Sequence, residues 1–342
     1  MGVDYRWKYP SFYKENEPFV LWANKYQEAV PRVVDSARLF ARGYLGPNAT
    51  ALGKVYVVNQ TDPRSIANSL APSDLCANYE DNPGGNSTTW ADIYLPPIVE
   101  RTNSRLNGLN FTASDITNLP YLCGFETQIT GRRSPWCDVF TDEEILQYEY
   151  AQDIRYYYGT GPGTDLESNL MLPFLTAIVE RFVDGPNATY TSDNNRTAPF
   201  RPGPLIATFA NDGQISQLAA GTGVFDSQEP LPIDRRLDSR IYRATNVSPM
   251  RGTIGFERLN CGVDGLFMRI KFNDAVYPVA ACQSGPGRSC PLAEYRALVD
   301  AKSAAFGDWQ ERCGNPASSR VPDAKTTFLR DTGLPFMYVV RP

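Results

Sequence analysis

Residues 205–226, LIATFANDGQISQLAAGTGVFD, set an apolar run before Asn211-Asp212-Gly213 and follow it with an amphipathic segment, the pattern of a strand, a loop and a helix. Asn211 can donate amide hydrogens and Asp212 can hold or release a proton. In an open α/β sheet, ligands collect beyond the carboxyl ends of the strands, which is where these two residues fall. The same triplet also makes ordinary tight turns, because Asn, Asp and Gly tolerate unusual backbone angles, so the residues by themselves leave both readings open. Arg32 is a second candidate. In PRVVDSARLFARGY, Val33, Ala37, Phe40 and Tyr44 recur at helical spacing and Gly43 is placed to end the helix. Arg32 therefore stands at a helix amino terminus, where free N–H groups and the dipole favour an anion. On spacing alone, a solvated surface arginine is the plainer reading.

What is missing narrows the chemistry further. The 342 residues contain 0 His, which removes His-based triads, His-ligated metals and a phosphohistidine from anything this polypeptide does by itself. The 7 cysteines, Cys76, Cys123, Cys137, Cys261, Cys282, Cys290 and Cys313, include no C-x-x-C pair, so metal and thioredoxin-type readings are weak and no metal is expected. An odd count leaves one thiol without an internal partner. Hydrophobic content of 42%, charged content of 21% and a net charge of -5 describe an ordinary globular chain. There is no basic surface for nucleic acid, and no apolar run approaches a membrane span.

The compartment is read from the sequons. Asn48, Asn59, Asn86, Asn110, Asn187 and Asn195 each open an N-x-Ser/Thr pattern, and Asn246 does so with Pro249 directly after it. Their number, in polar loop-like contexts, points to the secretory pathway. The opening residues, MGVDYRWKYPSFYKENEP, are charged and aromatic and hold no apolar signal-peptide core. The expectation is a secreted chain whose native amino terminus is missing.

The elements that must position the candidates follow in order. Phe19–Trp22 and Lys54–Asn59 read as strands. From about Ala91 to Tyr158 the pattern is helical, with Thr141-Asp-Glu-Glu144 in capping-box form opening a helix through Ile145, Tyr148, Ile154 and Tyr157. Gly159-Thr-Gly-Pro-Gly163 lacks the Lys-Ser/Thr of a phosphate loop and reads as a connector. Asn169–Val183 is a further helix and Asp184–Pro202 an exposed loop. Thr253–Leu259 and Leu266–Phe272 form a hairpin at a sheet edge, and Pro291–Val299 a helix. From Gly314 no periodicity is clear, and no internal repeat is present.

Five ordered motifs, PRVVDSARLFARGYLG, CGFETQITGRRSPWCDVFTDEE, FANDGQISQLAAGTGVF, FERLNC with FNDAVYP, and CQSGPGRSCPLAEY, resemble the fungal branch of the histidine acid phosphatases, which includes phytases. The likeness runs from about residue 2 to Cys313. It implies a phosphoglycerate mutase-like α/β sandwich at 1–60 and 200–313, a smaller, mainly helical domain inserted at 61–199, and a tail of unassigned structure at 314–342. It also implies metal-free, cofactor-free hydrolysis of phosphomonoesters in acid through a phosphohistidine. In the family an R-H-G-x-R-x-P segment supplies the nucleophilic His and two Arg, a third Arg precedes the V-V-D-S-A helix, and a late His-Asp pair supplies a phosphate ligand and the proton donor. Carried over, Arg32 matches the third Arg, Asp212 the proton donor, and Asn211 stands where the family has His. The R-H-G-x-R-x-P segment is absent. Family pairing joins Cys123 to Cys137, Cys282 to Cys290 and Cys76 to Cys313, and leaves Cys261 for a cysteine upstream of Met1. The expected fold therefore lacks its first strand, leaving the sheet without a central element and with an exposed apolar edge.

Two functions follow from these readings. One is an acid phosphatase or phytase represented by a shortened chain, inactive as written because it has no His. The other is a non-phosphatase member of the fold that binds a phosphate ester or acts on another secreted small molecule. Arg132 and Arg133 are candidates for a basic rim around the cleft. Neither nucleic acid nor membrane is an expected partner, and the sequence assigns no oligomeric state.

Overall fold

The computed structural model describes residues 1–25, 31–81, 85–192, 198–322, 326–327 and 329–342. The chain opens with helix α1 (Gly2–Lys8), then strand β1 (Phe19–Asn24), helix α2 (Arg32–Leu45), the short α3 (Ala49–Leu52) and strand β2 (Gly53–Val58). Five helices come next: α4 (Asn86–Asn103), α5 (Ala113–Thr130), α6 (Asp142–Gly159), α7 (Asp165–Asn169) and α8 (Leu172–Asp184). Strand β3 (Ala207–Phe209) leads into α9 (Asp212–Gly221) and the short α10 (Ala244–Val247). The remainder is β4 (Ile254–Asn260), β5 (Leu266–Phe272), β6 (Ala275–Tyr277), β7 (Cys290–Pro291), α11 (Leu292–Phe306), α12 (Trp309–Arg312) and β8 (Met337–Val340). Among the described residues, no helix is long and apolar enough to cross a membrane.

The main sheet has the order β3-β1-β2-β8. β1 and β2 are parallel, from Phe19 against Gly53 to Asn24 against Val58. β3 lies directly beside β1, also parallel, with Leu21, Trp22 and Ala23 against Ala207, Thr208 and Phe209. The strands thus form a continuous ladder, and β1 is its interior strand. Being covered on both faces, β1 has little use for polar alternation, and five of its six residues are buried. Leu21 and Ala23 point to α2, which lays Val33, Ala37, Phe40, Ala41 and Tyr44 across that face. Trp22, fully buried, points the other way into a larger core formed with α4, α6, α8, α9, β5 and α11.

Three local expectations need correction. α2 runs past Gly43 to Leu45, with Gly46 as its cap at φ +61°. Gly43 instead permits the close approach of α1, since a Cβ there would sit 3.2 Å from the backbone N of Val3. The β4–β5 hairpin does lie at a sheet edge: among the described residues β4 pairs with β5 alone, and β5 takes β6 and β7 on its other side, in a separate antiparallel sheet. The tail beyond Gly314 includes β8, which pairs antiparallel with β2. Only four residues long and half exposed, β8 has no alternation that could reveal it. The expected helix at Asn169–Val183 is two, α7 and α8, separated at Leu170–Met171 with Pro173 in the first turn of the second.

Three disulfides, Cys76–Cys313, Cys123–Cys137 and Cys282–Cys290, tie these elements together. Cys261, at the turn of the β4–β5 hairpin, is a free thiol.

Candidate active site at the carboxyl edge of the main sheet

β1 ends at Asn24 and β3 at Phe209, neighbours in register by one residue, because Ala23 faces Phe209. Each strand runs into a helix that begins at this rim. After β1, the chain reaches α2 with Arg32 as its first residue. After β3, only Ala210 intervenes before Asn211, which is the N-cap of α9 in extended conformation, and Asp212 opens the helix. The rim therefore combines two helix amino termini, an arginine, an amide and a carboxylate, a set suited to an anion. α2 is held against β3 by the edge-on contact of Phe40 with Phe209, 5.6 Å between centroids. Arg32 and Asp212 are exposed and Asn211 is half-buried.

Neighbouring side chains fix the carboxylate and the cap. Tyr156 of α6 donates its hydroxyl to Oδ2 of Asp212. Burial, reinforced by that bond, pushes the Tyr156 phenol well above its ordinary range, so it is a permanent donor in acid. Ser248 donates to the backbone carbonyl of Asp212 at 3.2 Å. The backbone N–H of Asn211 donates to Oε1 of Gln214 at 3.3 Å, and Nε2 of Gln214 donates to Oγ of the buried Ser73 at 3.2 Å. Gln60, just past β2, donates to the carboxylate of Asp74 beside Ser73. Asn24 is fully buried, with neither amide atom hydrogen-bonded among the described residues.

Sequence reasoning singled out Asn211, Asp212 and Arg32, and all three lie at this rim. It missed Tyr156, Ser248, Gln214, Ser73 and Asn24. For Tyr156 a signal existed: Tyr148, Gln152 and Tyr156 recur every four residues on α6, a polar aromatic stripe beside the core positions Tyr150, Ile154 and Tyr157. Arg132 and Arg133 are not at the rim. They follow the end of α5, whose chain returns to the start of α6, about 20 Å along that helix from Tyr156, and Arg133 pairs with Asp138 at 3.0 Å.

A cavity of about 440 Å³ exists elsewhere, between α8, α12 and the tail, lined by Pro173, Trp309, Gln310 and Arg320 among others. Its arginine is already bonded to the carbonyl of Asn315, and it shares no lining residue with the rim described above. Cys282, Cys290 and Glu294 come within metal-ligand reach of one another, but the two sulfurs are joined to each other and supply no thiolate. Of the sequon asparagines, Asn110 and Asn187 are exposed, Asn48, Asn59 and Asn86 are half-buried, and Asn195 lies outside the described residues.

The chain is similar to known proteins. The chain is 32% identical over 326 residues to acid phosphatase PHO1 of Komagataella pastoris, covering 93% of this chain and 64% of that protein. It is 30% identical over 315 residues to phytase PHO112 of Candida albicans, covering 92% and 64%. The chain thus spans just under two thirds of the length of these relatives. The crystal structure of the phytase from D. castellii superimposes with a TM-score of 0.79 at 28% identity, over 96% of this chain and 66% of that one. A family model, that of the histidine phosphatase superfamily (branch 2), matches residues 1–273. The chain belongs to branch 2 of the histidine phosphatase superfamily.

Proposed function

We propose that the rim of the main sheet is a phosphomonoester site of the acid phosphatase and phytase type, with Arg32 and the amino termini of α2 and α9 holding the phosphate, Asn211 donating to it, and Asp212 placed to protonate the leaving oxygen. The observation that carries this reading is the position of Asp212: first residue of α9, one step beyond β3, with its carboxylate held by Tyr156. Attack on phosphorus also requires a nucleophile, and the chain has 0 His. The chain by itself therefore binds the ester without turning it over through a phosphohistidine. An amide at position 211 keeps a hydrogen bond to phosphate but carries no charge. A pure binding role for a phosphate ester is the second reading, and the uncharged Asn211 at this position favours it.

The test is twofold. Calorimetric titration with methylphosphonate near pH 5 should show binding that Arg32→Ala weakens about tenfold or more. Hydrolysis of p-nitrophenyl phosphate by the same preparation should be at background. Binding indifferent to Arg32 would remove the site assignment, and turnover by this chain would remove the phosphohistidine mechanism. We also assign the chain to the secretory pathway, on the exposed sequons Asn110 and Asn187. A mass decrease on endoglycosidase treatment of protein from a fungal host checks this, and an unglycosylated product counts against it.

A further inference from the structure

Tyr148, Gln152 and Tyr156 of α6 recur at intervals of four, which stacks their side chains on one face of the helix. The last of them holds Asp212. Tyr121 of α5 flanks the same face: its ring meets that of Tyr148 edge-on at 5.8 Å between centroids, and its hydroxyl donates to Oε1 of Gln152 at 3.4 Å. Tyr121 is 44% exposed, while Tyr148, Gln152 and Tyr156 are half-buried. These rings are only partly covered, Tyr156 packing against the core on one side. They leave an aromatic surface open beside the carboxylate.

Among the described residues, the arginines on α6 and on the segment packed against it are paired. Arg155, whose guanidinium lies 4.9 Å over the ring of Tyr156, pairs with Asp81 at 3.4 Å. Arg243 and Arg240 both pair with Glu149 at 3.1 Å, and Arg236 bridges Glu143 and Asp238. A leaving group that carries further phosphates needs uncompensated positive charge to meet it. A flat ring needs aromatic faces and edges, and those are what this wall offers.

We infer that the Tyr121–Tyr148–Tyr156 face is the leaving-group wall of the site, and that it selects phosphomonoesters of aromatic alcohols over polyphosphorylated polyols. The inference rests on the assignment of the phosphate site at Arg32, Asn211 and Asp212. Tyr156 acts as a positioning residue: with Oδ2 occupied by its hydroxyl, the proton for the leaving oxygen is carried on Oδ1 of Asp212.

Phosphonates test the wall without requiring turnover. Titrating the full chain at pH 5 with methylphosphonate and with phenylphosphonate separates phosphate recognition from ring recognition. The expected result is a phenyl compound bound about fivefold tighter than the methyl compound. That ratio should fall to about one in Tyr121→Ala and be kept in Tyr121→Phe. Tyr121 is exposed, so its truncation does not threaten the fold, and far-ultraviolet circular dichroism confirms this before titration. Methylphosphonate binding with no phenyl gain, a gain that survives in Tyr121→Ala, or inositol hexakisphosphate outcompeting phenylphosphonate overturns the wall alone. Absence of methylphosphonate binding overturns the phosphate site, and the wall with it.

Discussion

The two faces of the main sheet are built to different rules. Beneath α2, Phe19, Leu21, Ala23, Val55 and Val57 meet Val33, Ala37, Phe40, Ala41 and Tyr44 in an apolar layer, with Phe19 stacked on Tyr44 at 4.4 Å. The Tyr44 hydroxyl is the one buried polar atom there recorded without a partner among the described residues. On the opposite side, Trp22 Nε1, both amide atoms of Asn24, Oε1 of Gln60 and both amide atoms of Gln217 are buried without a hydrogen-bond partner among the described residues. Each such atom costs about 1–3 kcal/mol relative to a bonded one. The α2 face is therefore almost free of that cost. The other face accepts a cost in the same layer that supports the candidate site.

Substitutions on neighbouring positions of one strand test that contrast most directly. Leu21→Ala, on the apolar face at 0% exposure, should lower the urea-unfolding free energy by about 2–5 kcal/mol. A loss below 1 kcal/mol would show that the α2 face is not closely packed there. The next effect is on pH dependence. On the polar side, burial pushes the carboxyl of Asp153 up to about 6, against the pull of Arg240. The fold thus takes up a proton that the unfolded chain releases near 3.8. This contribution is fully present below that lower value and is lost as pH rises through 6. The urea midpoint of the wild type should fall between pH 4 and pH 6, and that of Asp153→Asn should fall less; parallel profiles would refute the assignment.

Smaller effects sharpen the same comparison. Asn24→Val removes two unbonded polar atoms from the end of β1, so stability should stay level or rise by up to about 1 kcal/mol. A loss above 3 kcal/mol in the same urea assay would mean that the amide is satisfied in solution and that the polar face is not under strain. Tyr156→Phe deletes the hydroxyl that holds Asp212, at an expected cost of about 1 kcal/mol. Its discriminating readout is methylphosphonate affinity, which should fall in Tyr156→Phe because the carboxylate of Asp212 loses the hydroxyl that fixes it beside the phosphate; an unchanged affinity would leave Tyr156 a structural residue only.

How legible this was depended on how local each signal is. β1, α2 and β2 follow from short periodic runs, and the α6 cap from Thr141 and Glu144, whose reciprocal bonds are present. Asn211 and Asp212 stood out because they follow an apolar run directly. Tyr156 belongs to a legible stripe on α6, but its contact with Asp212 spans 56 positions of sequence, and no local pattern pairs the two. α1 was equally hidden, because its seat on α2 depends on the backbone approach of Gly2 to Phe40 and Gly43, which no side-chain pattern records. β8 lacked alternation, since an edge strand half open to solvent has no second face to hide.

That last strand has a consequence for synthesis. β2 (Gly53–Val58) waits for β8 (Met337–Val340) to cover its outer edge, and the Cys76–Cys313 bond closes across 237 positions. At roughly 5–20 residues per second, the ribosome takes on the order of 15–60 s to deliver the final strand after the second. During that interval the outer edge of β2 presents unpaired N–H and C=O groups, a template on which a strand of another chain could pair before β8 arrives.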